Sequence, residues 1–306
     1  MIVEIAIQVM FPILALAGAG AFFQRWFQLD LGTLSRLLTY FFLPAVVFTT
    51  ISTQEMDSSL LLDVGAFLFI QFLLLAGMSR LICRLTGMDP KLAPTFKNSV
   101  VLMNSGNFGL PVSQLVFAGT AGVSIQVIVL LFQNFLTYTY GLFQAASSTA
   151  DTMKTAVMQL LKIPVLYALA AAVIVQLTGI SLPDPVMIPL EQTADAFIAL
   201  ALFTLGAQVA YPALRQLSLL FFAAVIARLI FAPLLGLGII FLLGIDGLTA
   251  QALLIASAFP MSRNSALFAL EYDNYPEFAA QGVLISTILS MFTVSFFIYL
   301  AQLLFA

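Results

Sequence analysis

Histidine is absent from this chain, and cysteine and tryptophan occur once each. Without His no Ser–His–Asp constellation can form. One cysteine, Cys83, permits neither an internal disulfide nor a Cys/His metal cluster. Charge is scarce too: 8% of the 306 residues are charged, against about 25% in an average soluble protein. The formal net charge of -3 offers no basic patch for nucleic acid. No Walker-type phosphate loop is present, so composition and motifs together argue against an enzyme.

What remains is apolar. Hydrophobic residues make up 62% of the chain, and the mean hydropathy is +1.09. Runs long enough to cross a bilayer, about 20 residues each, recur along nearly the whole length. They predict an all-α polytopic membrane protein with spans at 5–24, 32–52, 59–83, 93–118, 121–146, 156–178, 186–210, 216–243, 248–270 and 279–304. The connections are short and leave no soluble domain. The first run outlasts a secretory h-region and has only Glu4 as an early charge, so it reads as a retained helix. The 29 Phe read as lipid contact and packing rather than a cofactor box.

Basic residues orient the bundle. Arg25, Arg36, Arg80, Arg84, Lys91, Lys97, Lys154, Lys162 and Arg215 fall at or near the first, third, fifth and seventh connections. The even connections carry Glu55, Asp57, Asp184 and Asp246 without Lys or Arg. By the positive-inside rule the odd connections are cytoplasmic and both termini lie outside the cell membrane.

Two spans are interrupted. The fourth contains Asn104-Ser105-Gly106-Asn107-Phe108-Gly109-Leu110-Pro111, the ninth Phe259-Pro260-Met261-Ser262-Arg263-Asn264-Ser265. Polar, Gly- and Pro-containing backbone at membrane depth is tolerated only when buried in protein or lining a water-filled cavity. Paired interruptions point to a transporter's binding site. Asn107 and Asn264 lie 157 positions apart, as do Gln71 and Arg228, and Pro12 and Pro164 sit alike in spans one and six. An odd number of spans per half requires inversion. The expected architecture is therefore two inverted five-helix repeats, 1-148 and 149-306, with substrate near their interface.

These motifs resemble the auxin efflux carrier family, which includes plant PIN-type carriers and bacterial malonate or malate permeases. The resemblance covers essentially the whole chain and is most specific at 104–111, at Leu205-Gly206-Ala207-Gln208 and at Pro260. It implies a scaffold of helices 1, 2, 6 and 7, and a mobile core of helices 3–5 and 8–10 with broken, crossing helices 4 and 9. A homodimer through the scaffold helices is a candidate assembly. Sodium–bile acid symporters share the broad architecture and use a ninth-helix carboxylate as a sodium ligand. This chain has Arg263 and Asn264 there and no acid between 247 and 270, a departure from that sodium site. Proton or sodium coupling stays open, and no cofactor is implied.

The expected substrate-binding residues are Asn104, Asn107, Gly109, Pro111, Pro260, Ser262, Arg263 and Asn264. Half-helix N-termini carry partial positive charge and free N–H groups. The Asn side chains add donors, the glycines allow close approach, and Pro111 withholds a ladder donor. Arg263 is costly in a membrane and its fork matches a carboxylate, which points to a small organic anion; the competing reading is a side chain snorkelling to the interface. Asp195 and Arg228, at comparable depth, are expected to form a buried pair serving coupling or gating, or a static structural pair. Glu191 reads as a first-turn acid of span seven, and Lys97 as an orientation anchor. The alternatives are a sodium-coupled symporter of a larger organic anion, like the bile acid symporters, and a channel, although a single internally repeated cavity differs from a symmetric pore.

Overall fold

The computed structural model describes residues 11–53, 58–146, 162, 164–208, 210 and 218–305. The starts of spans one and six, and the charges at Glu4, Glu55, Asp57, Lys154 and Arg215, lie outside the described residues.

Twelve helical segments follow in chain order among the described residues. They are α1 (Phe11–Phe27), α2 (Leu31–Thr53), α3 (Ser58–Leu85), α4 (Leu92–Val101), α5 (105–116) and α6 (Gly122–Ala145). Then come α7 (Pro164–Thr178), α8 (Asp184–Gln208), α9 (Leu219–Leu243), α10 (Gly247–Ser257), α11 (Arg263–Glu271) and α12 (Pro276–Leu304). Six of these (α2, α3, α6, α8, α9 and α12) contain apolar stretches of 23 to 29 residues, long enough to cross a bilayer. The interrupted spans each divide in two, α4 with α5 and α10 with α11. Glu191 lies beyond the first turn of α8, whose first-turn acid is Asp184.

Local chemistry sets the helix starts. Asp30 caps α2, accepting from the Gly32 amide at 2.9 Å and the Thr33 hydroxyl at 2.5 Å. Those bonds, the Thr33 hydroxyl first, hold the Asp30 carboxyl below its ordinary value. Ser218 caps α9 through the Phe221 amide, and Asp246 caps α10 through the Gly247 amide.

The helices pack as two groups. In one, α1 lies along α8 and α2 packs on α7 and α8. The α1–α8 seam is a backbone contact: a Cβ on Gly20 would lie 1.9 Å from the Phe203 carbonyl oxygen, and one on Gly206 1.8 Å from that of Ala17. Arg25 at the end of α1 closes the seam, its Nε donating to the Ala210 carbonyl at 3.0 Å. Leu43, Val46, Val47 and Ile51 of α2 share a core with Val165, Ala172 and Phe197. In the second group α3, α4, α6, α9, α10 and α12 surround the two breaks, with Phe67, Val100, Leu102, Phe108, Phe259 and Met261 buried at its centre. Contacts of α8 with α5 and of α2 with α6 join the groups. Large apolar side chains such as Trp26, Leu62, Leu177 and Leu242 face outward, as a lipid-facing perimeter requires.

Candidate functional site

Both interrupted spans open over a few residues, and the two openings pair with each other. After α4, Leu102, Met103 and Asn104 leave the helix; after α10, residues 258–262 do. Met103 and Met261 form an antiparallel bridge in which the Asn104 amide donates to the Pro260 carbonyl and the Ser262 amide to the Leu102 carbonyl, each at 2.9 Å. Backbone groups that lipid could not satisfy thus satisfy one another. The Phe108 and Phe259 rings meet edge to face across the pair, centroids 5.9 Å apart.

Each opening is built differently. Asn104 has φ -83 and ψ 69, the centre of an inverse γ-turn closed by the Ser105 amide on the Met103 carbonyl at 3.0 Å. A π-turn, Ser105–Gly109, follows: the Gly109 amide donates to Asn104 and the Leu110 amide to Ser105, each five residues back. Pro111, having no N–H, could not have continued an ordinary ladder at that point. Gln126 of α6 donates to the Ser105 carbonyl at 2.9 Å and fixes the turn. The second opening is a capped helix start, Ser262 accepting from the Asn264 amide at 3.2 Å, with the Met261 amide anchored on Ser286 of α12 at 3.1 Å.

Between the two helix groups lies a cavity of about 610 Å³. Residues 103–107 and 262–264 form one wall, and Ser35, Arg36, Thr39 and Tyr40 of α2 another. Gln133, Asn134, Thr137 and Tyr138 come from α6, Leu205 and Gln208 from α8, and Thr287 from α12. The cavity extends to the end of the bundle where α2 and α12 begin and α8 ends. Among the described residues its lining includes two cations, Arg36 and Arg263, and no acid. Arg263 is half-buried and its Nη1 donates to the Ser35 hydroxyl, so it spans the two helix groups. Gln133 and Thr287 are 4% and 1% exposed, and Gln133 Nε2 and Thr287 Oγ1 have no partner among the described residues. Such buried polar atoms call for a water or a ligand.

Five of the eight residues expected at a substrate site line this cavity: Asn104, Asn107, Ser262, Arg263 and Asn264. The other three do not. Gly109 is where the Phe259 ring rests, and a Cβ there would lie 2.4 Å from it. Pro111 is buried in the first turn after the π-turn, and Pro260 lends its carbonyl to the bridge. These three shape the crossing and leave the cavity wall to their neighbours. The cavity also takes in Gln133, Asn134 and Thr287, which lie outside the residues expected from the sequence. The adjacent Gln133 and Asn134 in mid-span were a signal, whereas a lone Thr is too common in apolar helices to be one.

The expected Arg228–Asp195 pair is not formed. Arg228 is 1% exposed and donates to three backbone carbonyls: Nε to Phe259 at 3.0 Å, Nη1 to Val100 at 3.2 Å and Nη2 to Ser257 at 2.5 Å. Asp195 sits on an exposed face of α8. Helix-end carbonyls, not a carboxylate, answer the buried charge. Gln71 joins the same cluster, Nε2 donating to Ser257 Oγ at 2.7 Å and the Ala232 carbonyl at 3.2 Å. Lys97, read as an anchor, donates to Gln144 Oε1 of α6 at 2.7 Å.

Bilayer-length apolar helices around a polar cavity, with broken helices at its wall, define an integral membrane protein of the transporter class. The chain belongs to the membrane transport protein family, which matches residues 7–298, and with it to the auxin efflux carrier and PIN group that residues 104–111 resemble. Members are transporters and not enzymes. No curated protein matches the chain.

Proposed function

We propose that this protein is a secondary carrier for a small organic carboxylate. The observation that carries the reading is the cavity itself. α5 and α11 both begin at its wall, their N-terminal ends directed to one space that also receives Arg263 and, among the described residues, takes no acidic side chain. A volume of about 610 Å³ falls within the usual range for small-molecule sites. Arg263 and Arg36 supply charge, and Asn104, Asn107 and Gln133 supply amides that orient an anion.

The mode of transport we favour is alternating access of elevator type. One helix group holds α1, α2, α7 and α8, and the other both broken helices, with the cavity between them. Each half of the chain runs through the same order of elements: three helices, one broken span, one long helix. That order supports two inverted five-helix repeats, 1-148 and 149-306. The Lys/Arg asymmetry supports a cytoplasmic open end for the cavity and both termini outside, an inward-facing state.

Uptake of labelled carboxylates into proteoliposomes tests the reading. Substrate-dependent flux that competes with other small carboxylates is expected, and it should persist when choline replaces sodium. Single-channel currents in planar bilayers would overturn it. With Cys83 replaced by Ala, a cysteine at Lys91 should label only from the cytoplasm and one at Asp184 only from outside.

A further inference from the structure

Arg228 is a full charge at the centre of an apolar bundle, and it does not line the cavity. Its three hydrogen bonds end on carbonyls at the closing turn of α4 (Val100) and just at and beyond that of α10 (Ser257, Phe259). Helix C-termini carry roughly half a negative charge each. The two ends that meet here therefore sum to about one unit, which one guanidinium cancels. The N-terminal ends of α5 and α11, by contrast, face the cavity.

The π-turn Ala227–Phe231 carries Arg228 in α9, and Gly236 lets α9 approach α10 closely, since a Cβ there would lie 2.6 Å from Ser257 Oγ. Gln71 holds that hydroxyl from α3. We propose that Arg228 is the positioning residue of the crossing: a tethered cation that neutralises the C-terminal ends of both broken helices and keeps their N-terminal ends aimed at the cavity. The crossing then needs no bound metal cation to hold its carbonyls together. Removing the side chain leaves a cation site, framed by the carbonyls of Val100, Ser257 and Phe259, that fits a guanidinium ion.

The test is chemical rescue of Arg228→Ala. Purified Arg228→Ala should melt roughly 10 °C below the parent, because truncation leaves buried acceptors unpaired. Millimolar guanidinium should restore at least half of that loss, and choline none. Arg228→Met keeps volume without charge and should stay low with guanidinium present. In proteoliposomes, guanidinium should restore flux to Arg228→Ala but not to Arg228→Met. Where Arg228→Ala cannot be purified, Arg228→Lys should melt above Arg228→Met, and the parent should melt at the same temperature in sodium and choline. A parent-like Arg228→Met, no response of Arg228→Ala to guanidinium, or a sodium-dependent rise in the parent's melting temperature overturns the assignment. The melting arm does not use the carboxylate reading, so the two can fail separately.

Discussion

The two breaks meet across one pair of hydrogen bonds, yet they are made by different means. The first relies mainly on backbone conformation: an inverse γ-turn at Asn104, then a π-turn through two glycines, with no side-chain cap and a single side chain, Gln126, on the Ser105 carbonyl. The second relies on side chains: Ser262 caps the helix start, and Ser286 holds the Met261 amide. The charge follows the same division, since the first break brings Asn104 and Asn107 to the cavity and the second brings Arg263. A turn held by backbone needs particular residues without Cβ or N–H, whereas a capped start holds its form through the Ser262 hydroxyl and leaves the next position free to carry Arg263. The first break is thus the more sensitive to shape, and the second to charge.

The largest effect is expected where that contrast touches function. Arg263→Ala should lower carboxylate flux at least about 30-fold, the equivalent of about 2 kcal/mol for an unpaired buried anion. Asn107→Ala should also abolish most flux, with both variants folding normally by melting curve. Arg263→Lys separates two roles: a raised apparent KM means direct bidentate grip, and parent-like flux means the residue only sets the cavity's potential. Parent-like flux by Arg263→Ala would remove both.

Two glycines of the same π-turn sharpen the shape argument. Gly109→Ala drives a methyl into the Phe259 ring and should cost about 1–3 kcal/mol of stability. Gly106→Ala meets only Leu130 Cδ1 at 3.4 Å and should melt close to the parent. Equal losses in the two variants would mean that glycine is needed at that turn for its backbone freedom and not for contact. At the second break Ser262→Ala should cost about 1 kcal/mol, the usual loss for a cap, and Ser262→Asp should recover it.

The smallest effect lies away from both breaks. Asp30 has its folded-state pKa lowered, so its contribution is present above the unfolded value of about 3.9 and is lost as pH falls through the lowered one. Asp30→Asn should flatten that acid limb of a stability–pH curve, lying below the parent at neutral pH and converging with it in acid.

Span positions were legible because apolar runs are long, and the prediction of 32–52 fell within one residue of Leu31–Thr53 at each end. The breaks were legible through Asn, Gly and Pro, but not their extent. The residues that leave the first helix are Leu102, Met103 and Asn104, and the first two look like any other apolar helix residues. Arg228 stands out in the sequence, but its carbonyl partners do not, because a sequence displays side-chain charges and hides the dipoles of helix ends. The 157-residue offset relates Gln71 to Arg228, which do share Ser257, while Met103 and Met261 pair one position off it.

The Met103–Met261 bridge also bears on how the protein is made. A ribosome releases the first break long before the second, so during synthesis the Asn104 amide and Leu102 carbonyl sit at membrane depth without the partners they have in the finished protein. Both partners, Pro260 and Ser262, come from the second half of the chain. The nascent first half therefore waits in an incompletely satisfied state, the kind of intermediate that insertion machinery shelters, until the chain has grown past residue 262.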